Sequence, residues 1–402
     1  MGTDTARTSL PLTSGAFWAD DPLAALAWAR RNDPVHWDES GGVWGVTRYD
    51  DVLEVSKSPE RFSNAGGIRP NQGATSMLID MDNPAHAKRR KLVNKAFTPT
   101  QVRSRAEGIR AISDELIDRV CERGSCDLVW DLAAWLPLIV IGESLGFDEA
   151  DFPALLEWSD ALLSGLDGKP ESAERMAQVF VKYQDYTMRV IDDRRREPRA
   201  DLMSVLVHAE VDGDRLDDHE LLLNSLLILI GGDETTRHVI SGGVYQLLRH
   251  RAQWDELRQD RSLIPSATEE MLRWVTPIKN MARTATADTM LGDKKISAGD
   301  KLLLLYPSAN RDETHFTEPD TFDIHRNPND HLAFGFGPHV CLGNSLARLE
   351  ITTILDRLLE RLPDLALASD TEPPRRPANF VSGYESMPVT FTPTAPMGGG
   401  RG

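Results

Sequence analysis

The alternation of apolar and polar positions along the chain predicts a mainly helical protein. Through most of residues 100–250, apolar residues recur every three or four positions, which is the spacing of amphipathic helices. Asp217–Arg249 contains no proline and predicts a single helix of about 30 residues, well above the usual length. Shorter helices are predicted at Pro22–Arg31, Ser266–Trp274 and Ser345–Leu362.

A minor β part is also predicted. The runs PVHW and VWGVT, within residues 34–47, and short segments within 281–306 have the composition of strands. A long irregular stretch follows at 312–331 and is too rich in Phe, His and Pro to be an ordinary linker. The chain has no internal repeat or low-complexity linker, so one domain is predicted over residues 13–393, between a disordered N-terminus (1–12) and a flexible tail (394–402).

Composition narrows the functional classes. The 402 residues include 45 Lys and Arg against 62 Asp and Glu, and the net charge of -17 argues against a dedicated binder of nucleic acid or anionic membranes. Three cysteines are too few for a disulfide framework and fit a reducing cytoplasm. The most apolar stretch, residues 221–230, is well short of the roughly 20 residues a membrane span needs. We therefore expect a cytoplasmic protein without a secretory signal or a membrane anchor.

One of the cysteines lies in a motif. Residues 334–343 read FGFGPHVCLG, so Cys341 follows a glycine-rich loop and precedes a predicted helix. Backbone N–H groups of such a loop can point at sulfur, and the positive end of the helix favours thiolate over thiol. The motif predicts that Cys341 is a metal ligand, whereas Cys121 and Cys126 are interpreted as structural cysteines.

Two other interpretations of this loop have less support. Its Gly-x-Gly could belong to a dinucleotide site, but the third glycine and a surrounding βαβ unit are missing. A zinc site could use the nearby histidines, yet no CxxC or HExxH spacing supports it. These histidines are His315, His325, His331 and His339.

A second motif, GGDETT at residues 231–236, lies in the middle of the longest predicted helix. Two adjacent glycines inside a helix cost about 2 kcal/mol relative to alanine, so a local requirement is expected, such as a kink that opens a groove. An acid, Glu234, beside an alcohol, Thr235, could pass protons to a small ligand in that groove. The alternative is a packing notch with a solvated glutamate.

Charged residues at helical spacing say less about function than the two motifs do. Glu270 and Arg273 are three residues apart, as in an ordinary helical ion pair, and His86 and Arg90 are four apart and share a helix face. Basic residues also cluster locally, and a solvated helix face is the default interpretation of that cluster. It comprises Lys88, Arg89, Lys91, Lys95, Arg103 and Arg105.

Together these motifs resemble the bacterial cytochrome P450 family. Residues 334–343 match the family's haem-binding loop, Phe-Gly-x-Gly-x-His-x-Cys-x-Gly, at every fixed position, and residues 231–236 fit its Ala/Gly-Gly-x-Asp/Glu-Thr-Thr pattern. The resemblance extends from about Trp28 to Pro393. It implies a mainly α P450 fold, a triangular-prism helical domain with a small β-rich part, in which haem lies between the long distal helix and the helix after Cys341.

The resemblance also implies roles for individual residues. Cys341 would be the proximal thiolate ligand of the iron of haem b, while Thr235 and Glu234 would deliver protons during activation of the co-substrate O₂. Many relatives have Asp where this chain has Glu234, which bears on the rate of that delivery. The implied haem-binding residues are His86, Arg90, Arg283, His339, Cys341, Phe334, Gly335 and Gly343, of which the first four would hold the propionates.

Structural and electron-transfer partners follow from the same resemblance. Glu270, Arg273 and Arg326 would form a structural trio on the proximal side. Electrons would come from an acidic ferredoxin and its reductase, with the ferredoxin docked on the basic surface that borders the cysteine. The implied activity is a monooxygenase that hydroxylates an unactivated C–H bond of a lipophilic substrate.

Several strings resemble, more narrowly, the actinobacterial group that oxidises the side-chain terminus of cholesterol and cholest-4-en-3-one. A steroid or sterol side chain is therefore the first expected substrate, with branched lipids next. The match is weakest after Trp158 and around Asn71–Ser76, and Pro338 departs from the group's loop. The strings are FSNAGGIRP (62–70), MLIDMDNPAH (77–86), RRKLVN (89–94), LLILIGGDETTRH (226–238), HLAFGFG (331–337) and RPANFVSG (376–383).

Positions next to these motifs predict an apolar substrate pocket. Its predicted residues are Met77, Leu78, Ile79, Leu227, Ile230, Gly231, Ile278, Phe380 and Val381. Two alternatives stay open: a tailoring hydroxylase of a polyketide, terpene or peptide product, and a haem protein that binds its ligand without turnover or uses peroxide. The Glu234–Thr235 pair argues against the second alternative, because neither form of it needs a proton relay for O₂.

Overall fold

The structure of the chain, a computed structural model, describes residues 10–70, 72–95, 97–164, 170–211 and 213–398. Helices dominate, as the sequence predicts. They are α1 (Gly15–Ala19), α2 (Leu23–Asn32), α3 (Tyr49–Lys57), α4 (Ala85–Asn94), α5 (Pro99–Ser104), α6 (Ala106–Asp118), α7 (Trp135–Leu145), α8 (Phe152–Ser164), α9 (Pro170–Arg196), α10 (Leu202–His208), α11 (Asp218–Arg249), α12 (Arg251–Gln259), α13 (Ile264–Val275), α14 (Tyr306–Ala309) and α15 (Asn344–Arg361).

The strands are short and lie mostly in one sheet. They are β1 (Val35–Asp38), β2 (Val43–Val46), β3 (Phe62–Ser63), β4 (Ser125–Asp127), β5 (Met281–Ala285), β6 (Thr289–Leu291), β7 (Lys294–Ile296), β8 (Lys301–Leu304), β9 (Ala366–Leu367) and β10 (Pro388–Thr390). The largest sheet has the order β1-β2-β8-β5-β3, and within it only β2 and β8 run parallel. A three-stranded sheet, β4-β10-β9, and the hairpin β6-β7 complete the β part.

The long helix predicted from the sequence is α11, which forms the centre of the helical region. It begins with a capping box, in which Asp217 accepts from the backbone N–H of Glu220 and the Glu220 carboxylate accepts from that of Asp217. Its 32 residues pack against α7, α8, α9, α13 and α15, and most of its side chains are buried. A helix surrounded in this way can hold catalytic side chains rigidly, since it has neighbours on several faces.

The proximal trio forms as the resemblance implies. Glu270 and Arg273 of α13 are fully buried and pair through Arg273 Nη2 and Glu270 Oε1 at 2.8 Å. Arg326, from the irregular stretch, reaches Glu270 Oε2 at 3.1 Å, and the backbone N–H of Asp323 donates to the same carboxylate. These contacts tie residues 312–331 to α13, so this stretch is ordered although it contains neither helix nor strand.

Both chain ends are less loose than predicted over the residues that the structure describes. Residues 1–9 and 399–402 lie outside the described residues. Leu10 and Leu12, however, are buried in a cluster with strand residues of β5 and β8, so the prediction of disorder is wrong for residues 10–12. In the tail, the backbone N–H of Thr394 donates to the Cys121 carbonyl and that of Met397 to Asp118 Oδ1, which fixes residues 394–398 against the end of α6.

A second apolar helical stretch lies outside residues 221–230. Within the described ranges, Leu128–Leu145 is the segment long and apolar enough to cross a membrane, and 78% of it is buried inside the fold. It combines a π-helical turn, Leu128–Ala133, with α7 and packs directly on α11. Its apolar character is therefore accounted for by burial in the core.

Candidate active site

A largely apolar cavity lies between α11 and the Cys341 loop. Thr235 of α11 and Cys341 both line it, so the fold brings the two sequence motifs to opposite walls of one space. The start of α15, the inner face of α4 and the connection from α13 to β5 close the remaining sides. Phe334, Gly335 and Gly343 line the same cavity, as expected for residues in contact with a flat cofactor.

The conformation of the cysteine loop depends on its glycines. Gly335 and Gly337 have φ values of 66° and 78°, in the left-handed region that favours glycine. A Cβ on Gly337 would also overlap the carbonyl oxygen of Ser56. The loop folds back on itself, because the backbone N–H of Cys341 donates to the Phe334 carbonyl at 2.9 Å. Cys341 lines the cavity just before α15 begins.

The thiol of Cys341 is not activated by the protein alone. Burial raises the pKa of Cys341, and the Gly343 N–H together with Arg90 and Arg348 opposes this only in part. The loop N–H of Gly343 favours the thiolate, as expected, but the desolvation cost outweighs it. A positively charged metal at the sulfur would reverse this balance, as it does for coordinating thiols in general.

Four cationic or imidazole side chains meet at one edge of the cavity. They are His86, Arg90, Arg283 and His339, the four residues that the resemblance assigns to propionates. The rings of His86 and His339 lie 3.9 Å apart, and Arg90 Nη2 donates to the Val340 carbonyl at 2.7 Å. Over the described ranges, none of the four forms an ion pair with a carboxylate, and His86 Nε2 is buried without a hydrogen-bond partner.

The lowered pKa values of these four residues indicate that the cluster is built to bind an anion. Burial, with His86, Arg283 and Arg90 nearby, lowers the pKa of His339 to about 3. Burial also lowers the pKa of His86, Arg90 and Arg283. Burial thus disfavours the charged forms of all four groups, and nearby anions would offset this cost. The two propionates of haem b are such anions, so the residues present fit this cofactor.

The two glycines of the GGDETT motif have different surroundings, and no break in the helix accompanies them. A Cβ on Gly231 would find open space, as at a cavity wall, whereas one on Gly232 would lie 3.1 Å from Ile141 of α7. Gly232 is thus a packing notch and Gly231 opens the cavity. Thr235 Oγ1 donates to the Gly231 carbonyl at 2.7 Å, and α11 continues without interruption through the motif.

Glu234 is not solvated, contrary to the alternative in the sequence analysis. Its side chain is 1% exposed, and its Oε1 accepts from Arg376 Nη1. Arg376 also pairs with Asp160 of α8, so it bridges two carboxylates. Burial alone raises the pKa of Glu234, but His238, Arg376 and Arg237 outweigh it, so the pKa lies below its ordinary value.

Sequence reasoning did not identify Arg376 as a site residue. It lies in the string RPANFVSG, which the resemblance singled out, but no spacing connects it to α11. An arginine 142 positions from its carboxylate partner can be found only from the fold.

Five of the nine predicted pocket residues line the cavity. They are Leu78, Ile79, Leu227, Gly231 and Ile278. Leu227, Gly231 and Thr235 are spaced by four, so they form a stripe along one face of α11. Other residues that line the cavity were not predicted, among them Asn64, Asn224, Val239 and Met281.

The other four predicted pocket residues lie behind the wall. Ile230 precedes Gly231 by one position, which turns its side chain about 100° around the helix and into the core. Met77 is buried in the same core cluster. Phe380 and Val381 pack with Ile68 behind the cavity wall. These four are corrections to the predicted pocket.

The zinc alternative has no support from the fold. Over the part of the chain that the structure describes, no three His, Cys, Asp or Glu side chains come together as metal ligands. The four histidines are engaged elsewhere: His315 stacks on Tyr49, His325 contacts Glu256, His331 contacts Glu269, and His339 lies on His86.

Comparison with known proteins agrees with this geometry. The family model for Cytochrome P450 matches residues 158–388. The chain is 53% identical to a steroid C26-monooxygenase of Mycobacterium tuberculosis, over 98% of this chain and 100% of the relative, and 52% identical to one of Mycolicibacterium smegmatis, over 97% and 98%. A Bacillus megaterium P450 solved in complex with testosterone superposes with a TM-score of 0.85 at 34% identity, covering 92% of this chain and 99% of that one.

The cationic cluster can be tested by haem retention. A hydrogen bond to a charged group contributes about 1.5–3 kcal/mol, so His86→Phe, which keeps a ring against His339, should release haem roughly ten to a hundred times faster. Transfer of haem to an excess of an acceptor globin, followed in the Soret band, measures the rate. Lys91→Met, an exposed change on the same helix, is the control. Retention of haem by His86→Phe at the wild-type rate would show that this cluster does not hold the propionates.

Proposed function

The chain belongs to the cytochrome P450 family, and on this premise we propose that it hydroxylates the terminus of a steroid side chain. As a member of this family it is a monooxygenase that uses haem b and O₂. When bound at Cys341, haem supplies the redox chemistry that activates O₂ and inserts one oxygen atom into a C–H bond. The observation that carries the proposal is the apolar cavity with Thr235 and Cys341 on facing walls.

The relatives support a steroid as the substrate. Two relatives more than half identical to this chain over nearly their whole length are steroid C26-monooxygenases, and a more distant structural neighbour binds testosterone. A terminal methyl group such as C26 has no polar handle, so the enzyme must hold it by shape and apolar contact. Methyl-branched lipids share this chemistry and form the second candidate class.

The amide side chains in the cavity wall already form hydrogen bonds within the protein, so they offer few to a ligand. Asn64 Nδ2 donates to the Ile79 carbonyl at 2.9 Å. Asn224 Nδ2 donates to the Glu220 carbonyl, and its Oδ1 accepts from the backbone N–H of Leu78. These amides are used by the fold itself, so the lining that remains for a substrate is mainly apolar, as a hydrocarbon side chain requires.

Thr235 and Glu234 have complementary positions for proton delivery. Thr235 Oγ1 lies in the cavity wall and holds a hydrogen bond to Gly231, which fixes its rotamer. Glu234, the preceding residue, is buried on the side of α11 away from the cavity, and its pKa lies below its ordinary value because His238, Arg376 and Arg237 are near. A proton held at Glu234 can pass toward the hydroxyl of Thr235, which presents it to the reacting oxygen.

A ferredoxin is the proposed electron donor, in the cytoplasm, at the surface over Cys341. The basic cluster predicted there is smaller than its sequence suggests, because Lys88 pairs with Asp214 at 2.8 Å and Arg89 pairs with Asp214 and Glu220. Lys91 and Arg103 remain exposed. The position of α4 over the cysteine loop follows from the Arg90–Val340 hydrogen bond.

The steroid assignment predicts a selective optical shift. Titration of the purified ferric protein with cholest-4-en-3-one should give a saturable low-to-high-spin change, because a ligand that fills the cavity displaces water from iron. A macrolide should give none, and a methyl-branched fatty acid a weaker one. Product analysis should then place the hydroxyl on the terminal side-chain carbon. A shift with the macrolide alone would contradict the steroid as substrate but would be consistent with monooxygenase activity.

Replacement of Thr235 should uncouple electron use from product. In Thr235→Ala, NADH consumption should continue while hydrogen peroxide replaces most of the product, since general acid–base groups contribute ~10²–10⁴-fold to rate. The measurement is product and peroxide formed per NADH. Thr236→Ala, at the neighbouring cavity position, is the matched control. Tight coupling in Thr235→Ala would show that this hydroxyl has no part in proton delivery.

Charge reversal tests the ferredoxin surface. Lys91→Glu with Arg103→Glu should raise the KM for ferredoxin roughly tenfold at low salt, with less effect at high salt, because exposed charges steer association. The same change at exposed Lys182 of α9 should leave KM unchanged. An equal effect of the two sets of variants would place the docking surface elsewhere.

A further inference from the structure

A second cavity, of about 430 Å³, lies along the C-terminal half of α11. Unlike the haem cavity it is lined mainly by polar side chains, and it reaches the surface where Asp21, Arg249 and Glu372 are exposed. The α11 residues that line it lie on one face of the helix, since they recur at intervals of three or four. They are His238, Gly242, Tyr245, Gln246 and Arg249. A polar space of this size holds several water molecules.

His238 stands at the inner end of this face. Its side chain is 2% exposed, and neither ring nitrogen has a hydrogen-bond partner within the residues described. One helical turn earlier on the same face is Glu234, and His238 Nε2 lies 3.7 Å from its Oε1. A small rotation of the ring would bring these two atoms within hydrogen-bond distance.

The opposite side of the ring borders the second cavity. Gly383 lines that cavity, and a Cβ on Gly383 would overlap His238 Nδ1. The turn that contains Gly383 also carries Arg376, whose backbone N–H donates to the Gly383 carbonyl at 2.9 Å. One turn of chain therefore holds both the partner of Glu234 and the glycine that leaves room for the ring.

Glu234 has a second oxygen available. Its Oε1 is held by Arg376, while its Oε2 is buried and without a partner among the described residues. The next residue, Thr235, lines the haem cavity. His238 and Glu234 are thus neighbours one turn apart on α11, beside the polar cavity, and Thr235, which follows Glu234 in the chain, lines the apolar cavity.

We propose that the second cavity is the proton entry route of the enzyme, and that His238 is the relay residue between its water and Glu234. This inference rests on the proposed monooxygenase function. A proton from cavity water binds Nδ1, the N–H bond at Nε2 breaks as an O–H bond forms on Glu234, and the ring then reorients so that its remaining N–H faces Glu234 and its bare nitrogen faces the cavity. No electrons move in this step, and one proton is passed for each one taken up.

The charges that face His238 suit this role. Burial lowers the pKa of His238, with Arg237 and Arg376 acting in the same direction and Glu234 opposing them. A neutral ring, with one donor and one acceptor nitrogen, is the form that can relay. The charged and titratable groups near the ring come from three elements. They are Glu234 and Arg237 of α11, Asp160 of α8, and Arg375, Arg376 and Tyr384 of the 375–384 segment.

The cavity also contains a group that titrates near neutral pH. Burial, with Arg375 and Arg311 nearby, lowers the pKa of Lys279 to about 7. Lys279 lines the second cavity together with Arg311 and Tyr245. Its ammonium nitrogen donates to the Thr276 carbonyl at 3.1 Å, so Lys279 adds a buried amine to the polar lining of the cavity.

His238→Asn tests the relay, because asparagine remains polar but cannot pass a proton between two ring nitrogens. Product per NADH should fall on the order of tenfold, given the ~10²–10⁴-fold weight of general acid–base groups, and peroxide release should rise. The solvent deuterium isotope effect on product formation should also increase. Peroxide-driven product formation, the steroid-induced spectral shift and the thermal midpoint should stay at wild-type values, which a merely structural role would not allow.

Two further variants sharpen the test. Gly383→Ala displaces the ring without removing it and should lower coupling in the same way. His250→Asn is the control, because His250 lines the same cavity but its Nδ1 contacts the Gln246 carbonyl. Wild-type coupling and isotope effect in His238→Asn would overturn the relay. A wild-type enzyme that gave no steroid shift would instead overturn the proposed substrate, so the two failures are distinguishable.

A readout independent of turnover is available from nuclear magnetic resonance. Side-chain ¹⁵N resonances of the ferrous carbon monoxide complex, with labelled histidine, report the tautomer of His238. Glu234→Gln should change the tautomer ratio and titration of His238 and leave His250 as it is, because only His238 lies beside the carboxylate. An unchanged His238 signal in Glu234→Gln would overturn the contact on which the relay depends.

Discussion

The burial of two adjacent carboxylates inside α11 is the constraint on which the distal side of the molecule depends. Asp233 and Glu234 are 0% and 1% exposed, and an unpaired buried carboxylate would cost several kcal/mol. Asp233 Oδ2 accepts from Ser159 and from Arg237, one turn along its own helix, whereas its Oδ1 has no partner among the described residues. Glu234 has no such local partner at hydrogen-bond distance, so its charge is met by Arg376 from a distant turn. The docking of that turn and the pairing of α8 with α11 follow from this requirement.

On the proximal side, cationic and imidazole groups are in excess instead of carboxylates. His86, Arg90, Arg283 and His339 converge at one edge of the cavity, where the fold supplies no ion-pairing carboxylate among the described residues. The Cys341 thiol is likewise buried with a raised pKa. Both features become favourable when a dianionic, metal-containing group occupies the cavity. Haem binding should therefore stabilise this region, because a ligand that binds only the folded state stabilises that state.

Much of the site could be predicted because it follows local rules. The cysteine loop was recognised from ten consecutive residues, and its glycines have the backbone angles that such a loop needs. The stripe of Leu227, Gly231 and Thr235 follows from helix periodicity, and the same periodicity explains why Ile230 was wrong. The basic cluster was overestimated because Asp214 and Glu220, more than a hundred residues away, neutralise part of it. Arg376 was missed for the same reason: its partner is distant in sequence.

Short stretches of sequence were enough to predict the helical character of the chain and its family, and to propose Cys341 as a ligand and Glu234–Thr235 as an acid–alcohol pair, because the spacing within each stretch has direct physical meaning. Only the tertiary structure decided which side chains meet. It brought Arg376 to Glu234, placed His238 between Glu234 and a polar cavity, and moved Phe380 and Val381 behind the pocket wall. Contacts between residues far apart in the chain depend on how whole elements pack, and hydrophobic patterning selects the buried face of an element without specifying its neighbour.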